Sequence, residues 1–110
     1  GDILFVEDPE LGLVGTCGLL PTAPREYELI KMAVLPEARG RGAGEFLLRA
    51  TIERAFAMGA ERLFLLTNSK SRAAIKLYER NGFVHDAEIL ARCGGEYDRC
   101  DVAMLYTGKP

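Results

Sequence analysis

Between residues 34 and 44 the chain reads Val-Leu-Pro-Glu-Ala-Arg-Gly-Arg-Gly-Ala-Gly, a glycine-rich turn with an apolar run before it and helical periodicity after it. Glycines let successive backbone N–H groups face one hollow. A helix start adds partial positive charge and unspent amide donors. Arg39 and Arg41 place two full charges beside them. Such a set suits a phosphate or a diphosphate. Two nucleotide signatures are missing, however. No Gly-x-x-x-x-Gly-Lys-Ser/Thr run occurs, and Gly40-x-Gly42 is followed by Glu45 where the dinucleotide fingerprint puts its third glycine. The plainer alternative is a tight strand-to-helix turn whose arginines are merely solvated.

Two further groups could move protons. Glu28 stands in an apolar strand pattern eleven residues before Arg39, with Glu26 on the same strand face. A carboxylate there could act as a general base, or it could be an ordinary strand glutamate in an ion pair. Tyr78 lies in the second segment of interest, Asn68 to Phe83, which reads NSKSRAAIKLYERNGF. Protonated at pH 7, Tyr78 could give a proton to a leaving group, and it could equally fill a core with its hydroxyl hydrogen-bonded. Asn68 and Ser69 could contact a ligand or simply cap a helix.

These residues carry a resemblance. Arg39-x-x-Gly42-x-Gly44 is similar to the Gln/Arg-x-x-Gly-x-Gly/Ala pattern of the GNAT superfamily of acyltransferases. Ala74-Ile75-x-Leu77-Tyr78-x-x-x-Gly82-Phe83 resembles the family's second signature, in the right order and at a typical spacing. The likeness extends from Ile3 to Leu105, and the two motifs cover about a quarter of the chain. It implies an N-acetyltransferase that moves an acetyl group directly from acetyl-CoA to a primary amine of a small molecule or peptide, without a covalent enzyme intermediate. It also implies site roles. Met32, Ala33 and Val34 would bind the pantetheine arm at the end of a splayed strand, and the N–H of Val34 or Leu35 would hold the thioester carbonyl. The turn Arg39, Gly40, Arg41, Gly42, Ala43 and Gly44 would cradle the diphosphate. Glu28 would be the base and Tyr78 the acid. Many members carry Asn seven residues before that tyrosine. Here the place holds Ser71, with Asn68 three residues earlier, and either could serve the cofactor contact.

The elements that must position these groups follow from pattern. Strands are predicted at Ile3–Glu7, Leu13–Leu20 and Tyr27–Val34, with Gly15 and Gly18 marking a bulge or close packing. A helix then carries Ala43, Leu47, Ala50 and Arg54 on one stripe, flanked by Phe46 and Phe56, and stops at Gly59. Arg62–Thr67 reads as a strand buried on both faces, Ser71–Arg80 as a second helix ended by Gly82, and Val84–Ala91 and Arg99–Tyr106 as two last strands joined through Gly94 and Gly95. The expectation is one α/β domain over residues 1–110. Its sheet would be mixed and mostly antiparallel, with a central parallel pair formed by the third and fourth strands, and two helices would accompany it in the GNAT-like manner. The family usually adds a strand and two helices before the first strand read here, so the cofactor side is expected to be complete and the acceptor wall not.

A chain of 110 residues with net charge −2 argues against a nucleic-acid partner. No run approaches the ~20 apolar residues of a membrane helix, and the acidic start GDILFVED lacks the pattern of a signal peptide. Cys17, Cys93 and Cys100 cannot all pair in one chain, which suits a reducing, cytoplasmic setting, and they are expected to pack as small apolar groups. With His85 the cysteines match no zinc spacing, so no metal is expected. Family members often dimerise, and an exposed sheet edge would press this chain towards a homodimer. Two other functions fit the same motifs: a non-catalytic CoA-binding sensor or assembly module, and a transferase of another acyl group.

Overall fold

The computed structural model describes residues 2–8, 12–35, 42–93 and 100–108. They fall into two compact units, residues 1–61 and residues 62–110. In the first unit three strands, β1 (Asp2–Asp8), β2 (Gly12–Ala23) and β3 (Glu26–Val34), pair antiparallel in chain order. Helix α1 (Ala43–Ala57) packs on them.

Both strand glycines singled out by the sequence have a structural reason. A side chain at Gly15 would come within 3.1 Å of Leu47 Cδ2 and 3.2 Å of the Ala33 carbonyl, so its absence lets α1 approach β2 closely. Beside Gly18 the register slips. Thr16 faces Ala33 and Gly18 faces Ile30, so Lys31 and Met32 of β3 together oppose Cys17 alone. This is a β-bulge in β3.

The buried face of α1 is not the stripe expected. Leu47, Leu48, Thr51, Ile52 and Ala55 are buried, whereas Arg54 is exposed and Phe46 is 66% exposed. Thr51 explains the offset. Its hydroxyl donates to the Leu47 carbonyl at 2.8 Å, which lets a polar residue stand in the middle of the apolar face.

The second unit contains β4 (Arg62–Thr67), α2 (Arg72–Arg80), β5 (Phe83–His85), a third helix α3 (Ala87–Cys93) and β6 (Val102–Tyr106). Strand β6 pairs antiparallel with both β4 and β5. The expected strand over Val84–Ala91 is corrected: the strand is Phe83–His85 and Ala87–Cys93 is helix, which makes three helices rather than two among the described residues. Asp86 causes the switch. Its carboxylate accepts the Ile89 amide at 2.9 Å and its carbonyl accepts the Leu90 amide at 3.2 Å, so it caps a run of strong helix formers. Helix formation lets Ile89 bury against Phe64 and Ala103, with Leu66, Leu90 and Leu105 around them. The last strand starts at Val102, later than expected, and the Gly94–Gly95 turn lies outside the described residues.

Candidate active site

The candidate element of the first unit is the junction from β3 to α1. The end of β3 is open: Met32 and Val34 are half-buried, and Ala33 and Leu35 are exposed. Arg39, Gly40 and Arg41 lie outside the described residues. Description resumes at Gly42, the N-cap of α1, with φ 79° and ψ 5°. That left-handed conformation is routine only for glycine. Among the described residues a Cβ there would meet nothing within 4 Å. As a glycine the N-cap has no side chain to bond to the first turn, and its carbonyl accepts the Phe46 amide at 2.9 Å to begin the helix. Ala43 and Gly44 therefore start a helix whose leading amides receive no bond from the N-cap side chain. A diphosphate fits such a start: it would take these donors and the positive end of a four-turn helix.

Glu28 and Glu26 are both buried, at 8% and 7% exposure. Glu26 stands at the hairpin end, where its Oε1 accepts the Thr22 hydroxyl at 3.0 Å. That bond gives its burial a structural reason. Glu28 pairs in register with Leu20 and lies one pleat nearer the bulge at Lys31–Met32. The bulge was not read from the sequence as belonging to β3. The glycine pair signalled a bulge in β2, and β2 does carry one beside Gly15: Val6 faces Gly15 and Glu7 faces Leu13, so Val14 is the extra residue.

The candidate element of the second unit is the junction from β4 to α2. Here the side chains bond to the turn itself. Asn68 Oδ1 accepts the Lys70 amide at 2.8 Å and the Asn68 carbonyl accepts the Ser71 amide at 2.9 Å. Asn68 thus closes a turn ahead of α2, whose N-cap is Ser71. Ser71 is the N-cap of α2 and its hydroxyl makes no capping bond. Tyr78 is the one fully buried residue of α2, with its ring edge-on to Phe83 at 5.8 Å between centroids; Phe83 meets Tyr106 in the same manner at 5.4 Å. The packing role of Tyr78 is therefore real whatever its hydroxyl does. Sequence reasoning missed Asp101. Both its carboxylate oxygens accept from Ser69, 32 residues away: Oδ1 from the amide and Oδ2 from the hydroxyl, each at 2.7 Å. These two bonds hold its pKa below the usual carboxylate value.

Cys17 is fully buried beside Thr51, and burial pushes its thiol up to about 11, against weaker lowering by hydrogen bonds to Thr51 and Gly18. A thiol so placed stays protonated and inert at neutral pH. His85 sits 3.2 Å from Glu79 on the surface. Among the described residues no group of three or more His, Cys, Asp or Glu could hold a metal ion. No described helix is long and apolar enough to cross a membrane.

Comparison with known proteins converges on one group. Residues 2–83 match the model of the Acetyltransferase (GNAT) family. The N-acetyltransferase YjgM of Escherichia coli is 38% identical over 108 residues, an overlap of 96% of this chain and 64% of that protein. The chain thus spans a little under two-thirds of that relative. A GNAT-family acetyltransferase from Staphylococcus aureus has the same fold, with a TM-score of 0.83 at 23% identity over 94% of this chain and 66% of its own. A Bacillus subtilis acetyltransferase solved in complex with CoA superposes with a TM-score of 0.73 at 26% identity, over 88% of this chain and 70% of its own.

Proposed function

This chain belongs to the GNAT family of acetyltransferases, and from that premise we propose that residues 1–110 form one domain that moves an acetyl group from acetyl-CoA to a primary amine of a small molecule or peptide. One observation carries the reading: Gly42, in a left-handed turn past the end of β3, leads into a helix start that no side chain caps. The related B. subtilis enzyme was solved with CoA, which supports the same ligand here. In this proposal Arg39, Gly40, Arg41, Gly42, Ala43 and Gly44 hold the diphosphate. Met32, Ala33 and Val34 line the pantetheine arm. Ser71, with an uncommitted capping hydroxyl, serves the further cofactor contact better than Asn68, whose amide oxygen is engaged in its own turn.

The chemistry is one substitution at carbon. The amine nitrogen bonds to the acetyl carbon as the carbon–sulfur bond breaks. Glu28 takes the amine proton, directly or through a water, and Tyr78 returns a proton to the departing thiolate, so charge and atoms balance. The N–H of Val34 or Leu35 faces the oxyanion; Pro36 has no hydrogen to donate. Free thiols at Cys17 and Cys100 support a reducing, cytoplasmic setting.

The test is a titration with acetyl-CoA followed by a panel of amines scored for thiol release. Glu28→Gln should lower kcat about 100-fold while acetyl-CoA affinity stays within about twofold. A chain that binds no acetyl-CoA would end the proposal, and full turnover by Glu28→Gln would remove the base role.

A further inference from the structure

Ser69 occupies the turn between β4 and α2, and both of its donors meet a single side chain. Its amide donates to Asp101 Oδ1 and its hydroxyl to Asp101 Oδ2, each at 2.7 Å. Asp101 is itself held in place. Its own amide donates to the Thr67 carbonyl at 3.1 Å, one step beyond the Thr67–Val102 pair that ends the β4–β6 ladder. A carboxylate at the root of β6 therefore grips the turn that follows β4.

The grip does not serve the core. Ser69 and Asp101 are both exposed, and polar contacts in open water contribute little to global stability. What a two-point fork changes is local freedom. Beside it stand the flanking bonds, from Lys70 to Asn68 Oδ1 and from Ser71 to the Asn68 carbonyl, which close the turn on itself. The fork ties Ser69 to the residue that precedes β6. It also sets the start of α2, because the Ser71 carbonyl accepts the first helical bond, from Ile75 at 3.0 Å.

We propose that Asp101 is a positioning residue for acetyl-CoA binding: by clamping Ser69 it fixes the orientation in which Ser71 and the first amides of α2 meet the cofactor. The inference rests on the acetyltransferase reading. The acidity of Asp101 agrees with it, since the Ser69 bonds, followed at a distance by the Lys70 charge, keep the carboxylate ionised and accepting.

The experiment compares wild type, Asp101→Ala, Asp101→Asn and Ser69→Ala in the full chain. Three readouts are used: acetyl-CoA titration, steady-state kinetics with a responsive amine, and amide exchange at residues 69–71. Asp101→Ala should weaken acetyl-CoA binding about fivefold to tenfold and raise its KM in step, with kcat within about twofold and Tm nearly unchanged. Exchange at residues 69–71 should quicken. Ser69→Ala keeps the amide bond and should lose about twofold. Asp101→Asn can accept the amide and donate to the hydroxyl oxygen, so it should recover affinity to within about twofold of wild type. Wild-type affinity in Asp101→Ala, or unchanged exchange at residues 69–71, overturns the inference and leaves the acetyltransferase reading standing. A fall in kcat and Tm without a change in acetyl-CoA affinity also overturns it. If wild type itself binds no acetyl-CoA, the underlying reading fails and takes this one with it.

Discussion

Two of the strand-to-helix junctions, β3 to α1 and β4 to α2, differ in their hydrogen bonds among the described residues. From β3 to α1 the chain passes through a left-handed glycine into a helix with no side-chain cap. From β4 to α2 it passes through a turn whose amides bond to Asn68 and whose serine bonds to Asp101. The helices differ in the same sense. Five buried residues anchor α1, whereas only Tyr78 of α2 is fully buried. A helix held firmly by its side can leave its end free for a ligand. A helix held lightly by its side needs its end tied. In the proposed reading the first junction is the binding element, and the second is a supporting one.

The largest expected effect tests the open junction. Replacing Arg39 and Gly42 together by alanine removes one charge and forces a Cβ into a left-handed conformation. Acetyl-CoA affinity should fall about 100-fold, since a charge-assisted bond is worth roughly 1.5–3 kcal/mol and strained amides aim less well. Stability should fall by only about 1–2 kcal/mol, the cost of the left-handed residue, because a side chain at Gly42 has open space around it. Titration and urea melts separate the two. Unchanged affinity would break the comparison, because the junction with spare donors would then hold nothing.

Much of this contrast was legible in the residues. Glycine spacing and flanking arginines marked the open junction, and β4 was bounded correctly at Arg62 and Thr67 by its unbroken apolar run. Gly15 and Gly18 announced a close approach and a bulge. What stayed hidden depended on partners distant in sequence or on a single cap. The run after Val84 alternates well enough for a strand, and only the Asp86 cap with the burial of Ile89 turns it into α3. The face of α1 was misplaced because Thr51 looks polar until its hydroxyl is seen bonded to Leu47. Asp101 could not be found at all. Its role follows from strand register, which sets Val102 opposite Thr67 and so carries the preceding residue to Ser69.

A smaller effect tests the tied junction. Asn68→Ala removes the side-chain acceptor of the Lys70 amide and should cost about 1 kcal/mol in a urea melt, as loss of a capping residue does. The parallel loss at Gly42 acts through strain instead. A Gly42→Asn variant, which tolerates the left-handed region, should recover most of its stability. No such rescue is available to Asn68→Ala by backbone means. If Asn68→Ala melts like wild type, the turn does not depend on its own side chain, and the division between open and tied junctions loses its second half.

The smallest effect is a dependence on pH. The Ser69 bonds hold the pKa of Asp101 below the ordinary carboxylate value of 3.8, so the folded state prefers the ionised form. A depressed carboxylate contributes fully above its unfolded value and loses that contribution as pH falls through the folded one. The clamp should therefore be constant across neutral pH and loosen only in acid below 3.8. The group is fully exposed and faces solvent, with Lys70 the charge that acts on it, so global stability should barely register the change. The Ser69 amide should register it directly. Its NMR shift ought to titrate with a midpoint below 3.8 in wild type and to show no such step in Asp101→Asn. A midpoint at or above that value would mean that the carboxylate gains nothing from Ser69. The second junction would then be as untied as the first.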